Sequence, residues 1–213
     1  GDRPRAALAG EDSSPGRLDA ASQRVVEFTA ELKFVGAFSP FASFGPRAAS
    51  RRPIDLAVDE EGRVLVLDEL AGRVHVYDRT PELDGFVYVS GYGAYGDGEC
   101  ELIRPAGIAC APDGRMWISD EARNRVLHFD AKGTFLGALG KHGLARGEFT
   151  KPRGLALDPQ GRLVGLDWGN HRGQTFAPDG TVSNIRASSS APPTASSAPM
   201  RVSRSPTVVR STA

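Results

Sequence analysis

The sequence predicts an all-β fold, a β-propeller of four-stranded antiparallel blades. Three observations predict it: a tandem repeat of 47 to 52 residues, short strand patterns set between turn signals, and no helical stretch separating them. Aligning on proline exposes the repeat. Pro53 begins PIDLAVDEEGR, Pro105 begins PAGIACAPDGR, and Pro152 begins PRGLALDPQGR. The same offsets then bring Gly62, Gly114 and Gly161, each followed by arginine (Arg63, Arg115, Arg162). Further on stand the pairs Asp68 and Arg73, Asp120 and Arg125, Asp167 and Arg172, and an aromatic closes each register at Tyr77, Phe129 and Phe176. A worn fourth copy lies upstream, where ASQRVVEFTAELKFVGAF from Ala21 aligns without a gap on ARNRVLHFDAKGTFLGAL from Ala122.

Each unit divides into four strands. The first is short and apolar (Ile54 to Asp59, Gly107 to Ala111, Gly154 to Asp158) and ends in a tight turn such as Pro112-Asp113-Gly114. The second runs to the recurring aspartate. The third alternates as in Arg73-Val74-His75-Val76-Tyr77, and the fourth is read at Thr134 to Leu139. A Gly-rich connection, Gly140 to Lys151, leads to the next proline. Two glycines break the pattern of the last unit. Gly165 and Gly173 stand where sister units carry Val66 or Ile118 and Val74 or Val126, so the last blade should be the weakest.

Composition narrows the function classes. The 213 residues hold 26 basic and 26 acidic side chains, so global charge recommends no nucleic-acid, membrane or acidic partner. A 40% hydrophobic content suffices for a core. No window is long and apolar enough to span a bilayer, and no signal-peptide core is present. The compartment is not legible. Cys100 and Cys110 match neither a disulfide framework nor a metal knuckle. Cys110 falls where Val58 and Leu157 fall and reads as a small buried hydrophobe; Cys100, after Gly98-Glu99, reads as the counterpart of Phe149 after Gly147-Glu148.

The stretches KPRGLALDPQGRL from Lys151, LDWGNHRGQTFAPDG from Leu166, SDEARNRVLHFDAKG from Ser119 and the preceding Gly147-Glu148-Phe149 resemble the NHL repeat. The resemblance spans roughly residues 19 to 180 and implies a six-bladed propeller. It implies no single function, because this scaffold serves unrelated roles.

Only three to four blades are countable. Residues 1–18 read as a poorly defined segment or degenerate first blade, 19–180 as propeller, and 181–213, rich in Ser, Ala, Pro and Arg, as a disordered tail. The pattern stops after Gly180, after a third strand. An unclosed fan leaves two blade faces bare. A fragment or a frame-disrupted gene product, self-association through the open faces, and capping by the tail all address this; the sharp break within a blade favours the first.

The recurring polar residues are expected to be scaffold. Asp68, Asp120 and Asp167 each face Arg73, Arg125 and Arg172 across a hairpin, or cap the turn between. A catalytic site normally breaks repeat symmetry, and this set does not. Of the histidines, His75 and His128 differ by one in register and should face opposite ways. His142 and His171 lie in loops of one rim. Propeller lyases similar to NHL proteins hold zinc with histidines from different blades, but two histidines without a third ligand make no zinc site, so no metal and no cofactor is expected. Trp117 reads as core, and Trp168 as partly exposed.

The loops entering each first strand and the turns between second and third strands should share one rim. Their cations could contact phosphates, but aromatics for base stacking are scarce there, so RNA binding is not favoured. The expected function is a non-enzymatic platform for a protein or small ligand, with Arg104, Arg123, Asn124, Lys141, His142, Arg153, Asn170 and His171 as contact residues. The alternatives are a metal-dependent propeller lyase or hydrolase with an incomplete site, and an RNA-binding propeller.

Overall fold

The computed structural model describes residues 16–19, 22–28, 33–42, 44–45, 51–80 and 85–187. They form four antiparallel sheets in sequence order. The first holds β1 (Gly16–Asp19), β2 (Arg24–Phe28) and β3 (Phe34–Phe38). The second holds β4 (Pro53–Val58), β5 (Val64–Asp68), β6 (Arg73–Thr80) and β7 (Gly85–Tyr92). The third holds β8 (Pro105–Cys110), β9 (Met116–Asp120), β10 (Arg125–Phe129) and β11 (Phe135–Leu139). The fourth holds β12 (Pro152–Leu157), β13 (Leu163–Asp167), β14 (Arg172–Phe176) and β15 (Val182–Ala187). Each sheet is a meander, and β4, β8 and β12 stand side by side along the inner edge. This is a four-bladed fan of propeller sheets.

The blades are held by what lies between them. Leu65, Leu67, Val74 and Val76 of the second blade pack on Ile108, Met116, Ile118, Leu127 and Phe129 of the third. Trp117 and Val126 of the third pack on Leu163, Phe176 and the loop residue Phe149 beside the fourth. Alternation along the strands puts each blade's two apolar sets on opposite faces, so burial needs a neighbour on both sides. Adjacent register has the same effect on the histidines. His75 pairs with Val66 and is buried, whereas His128 pairs with Trp117 on the other face, stacked on its ring at 4.6 Å.

The Gly-Arg step of each unit closes the first hairpin. Gly114 takes φ 81°, the left-handed region that the Pro-Asp-Gly turn calls for. Asp59 accepts from Arg63 N at 2.9 Å and Arg63 Nε at 2.6 Å, and Asp158 does the same for Arg162 at 2.9 and 2.6 Å. Cys110 packs against the core between the second and third blades, and burial pushes its thiol up to about 12.

Two expectations require correction. The pattern stops at Gly180, but β15 follows at once and pairs with β14 from Arg172↔Ala187 to Phe176↔Val182. The fourth blade therefore has its fourth strand inside the segment assigned to the tail. An outermost strand is held mainly by its backbone ladder, so VSNIRA can replace FLGAL with little loss. Likewise Gly16 to Leu18, assigned to the N-terminal segment, already belong to β1. Residues 1–15 and 188–213 lie outside the described residues.

The second correction concerns Cys100, which is exposed. The buried counterpart of Phe149 is Leu102: Tyr95↔Leu102 and His142↔Phe149 form the same bridge, and both Leu102 and Phe149 are fully buried. Each stands three residues before its proline, while the Gly-Glu dipeptide is repeated in the wrong register.

The weak glycines of the fourth blade leave room for side chains. A Cβ at Gly165 would meet Leu155 at 3.5 Å and Phe149 at 3.7 Å, ordinary contact, and one at Gly173 meets nothing within 4 Å. Gly165→Ala with Gly173→Ala is expected to stabilise by about 0.5–1 kcal/mol per site, read as a higher urea midpoint at unchanged slope.

Candidate functional site

The recurring aspartate builds the rim. Asp68, fully buried, accepts from Arg52 N at 3.0 Å, Leu70 N at 3.1 Å and Ala71 N at 3.3 Å. Asp120 accepts from Ile103 N at 3.2 Å and Arg104 N at 3.1 Å. Asp167 accepts from Thr150 N at 2.7 Å, Asn170 Nδ2 at 2.8 Å and Arg172 Nε at 2.7 Å. Each carboxylate thus knots the loop entering its blade to the turn between the blade's second and third strands. The facing arginine reaches further: Arg125 Nη2 donates to the carbonyls of Gly98 and Glu101, and Arg172 to those of Leu144, Ala145 and Glu148.

These knots join into one continuous rim. Arg123 donates to the Asp97 carbonyl, Asn124 Oδ1 accepts from Lys151 N at 2.9 Å, and Asn170 Nδ2 donates to the Gly143 carbonyl at 2.9 Å. The last bond lies between His142 and His171, each one residue away. The eight sequence-predicted contact residues therefore come from the same rim, but their parts differ. Arg123, Asn124 and Asn170 bond neighbouring backbone. His171 ends the short 3-10 turn Trp168–Asn170 in the left-handed region, φ 52°.

The cations are mostly compensated. Arg153 Nε lies 3.1 Å from Glu121, Arg104 Nη1 3.6 Å from the same carboxylate, and Lys141 Nζ 3.4 Å from Glu148. The Ala145 amide first, and Lys141 after it, hold the Glu148 carboxyl below the usual carboxylate range. This pairing offsets the basic patch on which phosphate contact would rest.

Apolar exposure beyond Trp168 is what the sequence reading missed. Leu70, Tyr95, Leu144 and Trp168 all sit in turns or loops of this rim and are more than half exposed, Leu144 to 76%. The signal was present as large apolar residues outside any strand alternation. Trp168 carries a cation on its ring: the Arg153 guanidinium lies 4.9 Å from the ring centroid, and Arg153 is itself paired with Glu121. Among the described residues, no three His, Cys, Asp or Glu side chains come together as a metal site.

No protein-family model and no curated protein matches the chain. Solved structures do. A streptogramin B lyase is 15% identical, with TM-score 0.58 over 87% of this chain and 55% of its own. A catalytically inactive virginiamycin B lyase from Staphylococcus aureus, solved with quinupristin, is 12% identical, with TM-score 0.62 over 90% of this chain and 57% of its own. Myxococcus xanthus glutaminyl cyclase is 14% identical, with TM-score 0.58 over 85% of this chain and 69% of its own. At these identities the likeness carries the propeller fold and no more. The chain spans little more than half the length of the two lyases.

Proposed function

We propose that the chain is a segment of an NHL-type propeller of six blades, and that its loop-bearing rim is a non-enzymatic platform for a protein or peptide partner. The repeat motifs support the family and the blade number. The observation that carries the function is the Arg153–Trp168 pair. Trp168 is 55% exposed, yet its ring is fixed by a guanidinium that Glu121 fixes in turn. Tryptophan and arginine dominate the energetics of protein interfaces, and a side chain ordered before binding loses less entropy on contact. Exposed Leu144 and Leu70 supply apolar area on the same rim, and Arg104 and Lys141 a polar margin.

Selection of a displayed random-peptide library against the full chain tests this. Selected peptides are expected to lose about thirtyfold in affinity, ~2 kcal/mol, on Trp168→Ala. They should keep it on Arg115→Ala, at the opposite rim. Peptides indifferent to Trp168 and Arg153 would overturn the assignment.

A further inference from the structure

The second blade departs from its sisters at three positions around a single cleft. The first is the facing arginine. Arg125 and Arg172 spend their guanidinium groups on loop carbonyls, whereas Arg73 donates only to the Gly91 carbonyl of its own blade, at 2.9 Å, and, like Arg125, lies within ion-pair distance of no carboxylate among the described residues. The second is His75, where the same register holds Val26, Leu127 and Gln174. Gln174 satisfies both ends of its amide on the loop and Asp167. His75 is 2% exposed, and neither ring nitrogen makes a hydrogen bond among the described residues; Nε2 stands 3.4 Å from Asp68 without hydrogen-bond geometry. The third is Gly91, where the sisters carry Ala37, Ala138 and Ile185. A Cβ there would meet Arg73 Nε at 2.7 Å, the Val74 carbonyl at 2.9 Å and Tyr88 Oη at 3.1 Å.

Two of these residues, Arg73 and His75, line a cavity of about 220 Å³ with Arg51, Tyr88, Tyr95 and the Phe44 ring, and Gly91 lies behind Arg73 and Tyr88. A cavity of about 150 Å³ already holds benzene, so the space is on the scale of a single-ring organic acid. Its charge balance selects the ligand. Arg51 Nη1 is paired with Asp68 at 3.2 Å, leaving Arg73 as the one uncompensated cation among the described residues that line it. A buried polar nitrogen without a partner is costly, and residues lining this cleft carry three among the described residues: Arg51 Nε, Arg73 Nε and His75 Nδ1, while His75 Nε2 faces Asp68.

We propose that this cleft binds a small ring-bearing monocarboxylate. The Arg73 guanidinium pairs with the carboxylate, whose two oxygens match the planar donor fork, and the ring lies among Phe44, Tyr88 and Tyr95. The site is separate from the rim anchor at Trp168 and does not depend on it.

Benzoate is the probe, with benzamide as its neutral counterpart, titrated into the full chain while the His75 ring resonances are followed by NMR. Saturable shifts of His75 with benzoate are expected, weakened at least about tenfold by Arg73→Gln. Gly91→Ala should abolish them, and because its Cβ would also press on the Val74 carbonyl at 2.9 Å, its melting temperature is measured alongside to show that the variant is folded. Arg115→Ala, at the opposite rim, should leave them unchanged. Absence of saturable shifts, equal binding of benzamide, or full retention in Gly91→Ala overturns the proposal.

Discussion

Asp167→Ala is expected to destabilise the protein by about 3–5 kcal/mol, a large part of the ~5–15 kcal/mol that holds a domain together. The carboxylate is fully buried and accepts from Thr150 N, Asn170, Arg172 and Gln174. Its removal leaves a guanidinium with 13% side-chain exposure facing a void, and frees the loop that seats Phe149. Urea unfolding followed by far-UV circular dichroism measures the effect. A loss under ~1 kcal/mol would mean the loop is held by its apolar anchor alone. Asp68 should show the same dependence through pH. Burial pushes its carboxyl up, but His75 and the amides of Arg52 and Ala71 outweigh that and hold it below its ordinary value. A carboxyl depressed in the folded state contributes stability above its unfolded value. That contribution is lost as pH falls through the folded one.

The second large effect separates two neighbours in one loop. Leu102→Ala is expected to cost about 2–5 kcal/mol, while Cys100→Ala should fall within ~0.5 kcal/mol of the parent. Leu102 is fully buried among Ile54, Leu67, Val74 and Ile108, so truncation opens a cavity between two blades. Cys100 is exposed. Equal costs at the two sites would restore the Gly-Glu register as the structural one. Thermal unfolding of both variants decides it.

That pair marks where sequence reasoning about this chain succeeds and where it slips. Pro53, Pro105 and Pro152 start β4, β8 and β12, and Asp68, Asp120 and Asp167 end the second strands, because these positions carry backbone constraints that recur in every blade. The loops obey no such period. Their anchor is set by distance to the following proline, and the local Gly98-Glu99 motif competes with it. β15 escaped for the opposite reason: an outer strand needs few particular side chains, so its sequence drifts while its ladder persists. On the rim, the cations were legible as residues but not as ion pairs, since Glu121 meets Arg153 across 32 residues.

By itself the sequence determined the blade: its strand order, its turns and its Asp-Arg pair, all expressed within one repeat through alternation and turn chemistry. Only the tertiary structure decided what the blades become together. Packing placed Leu102 rather than Cys100 in the core, stacked Arg153 on Trp168, and set Phe44, Arg51 and Tyr95 around His75. Those contacts join side chains from different repeats or loops, and no local pattern encodes which of them will meet.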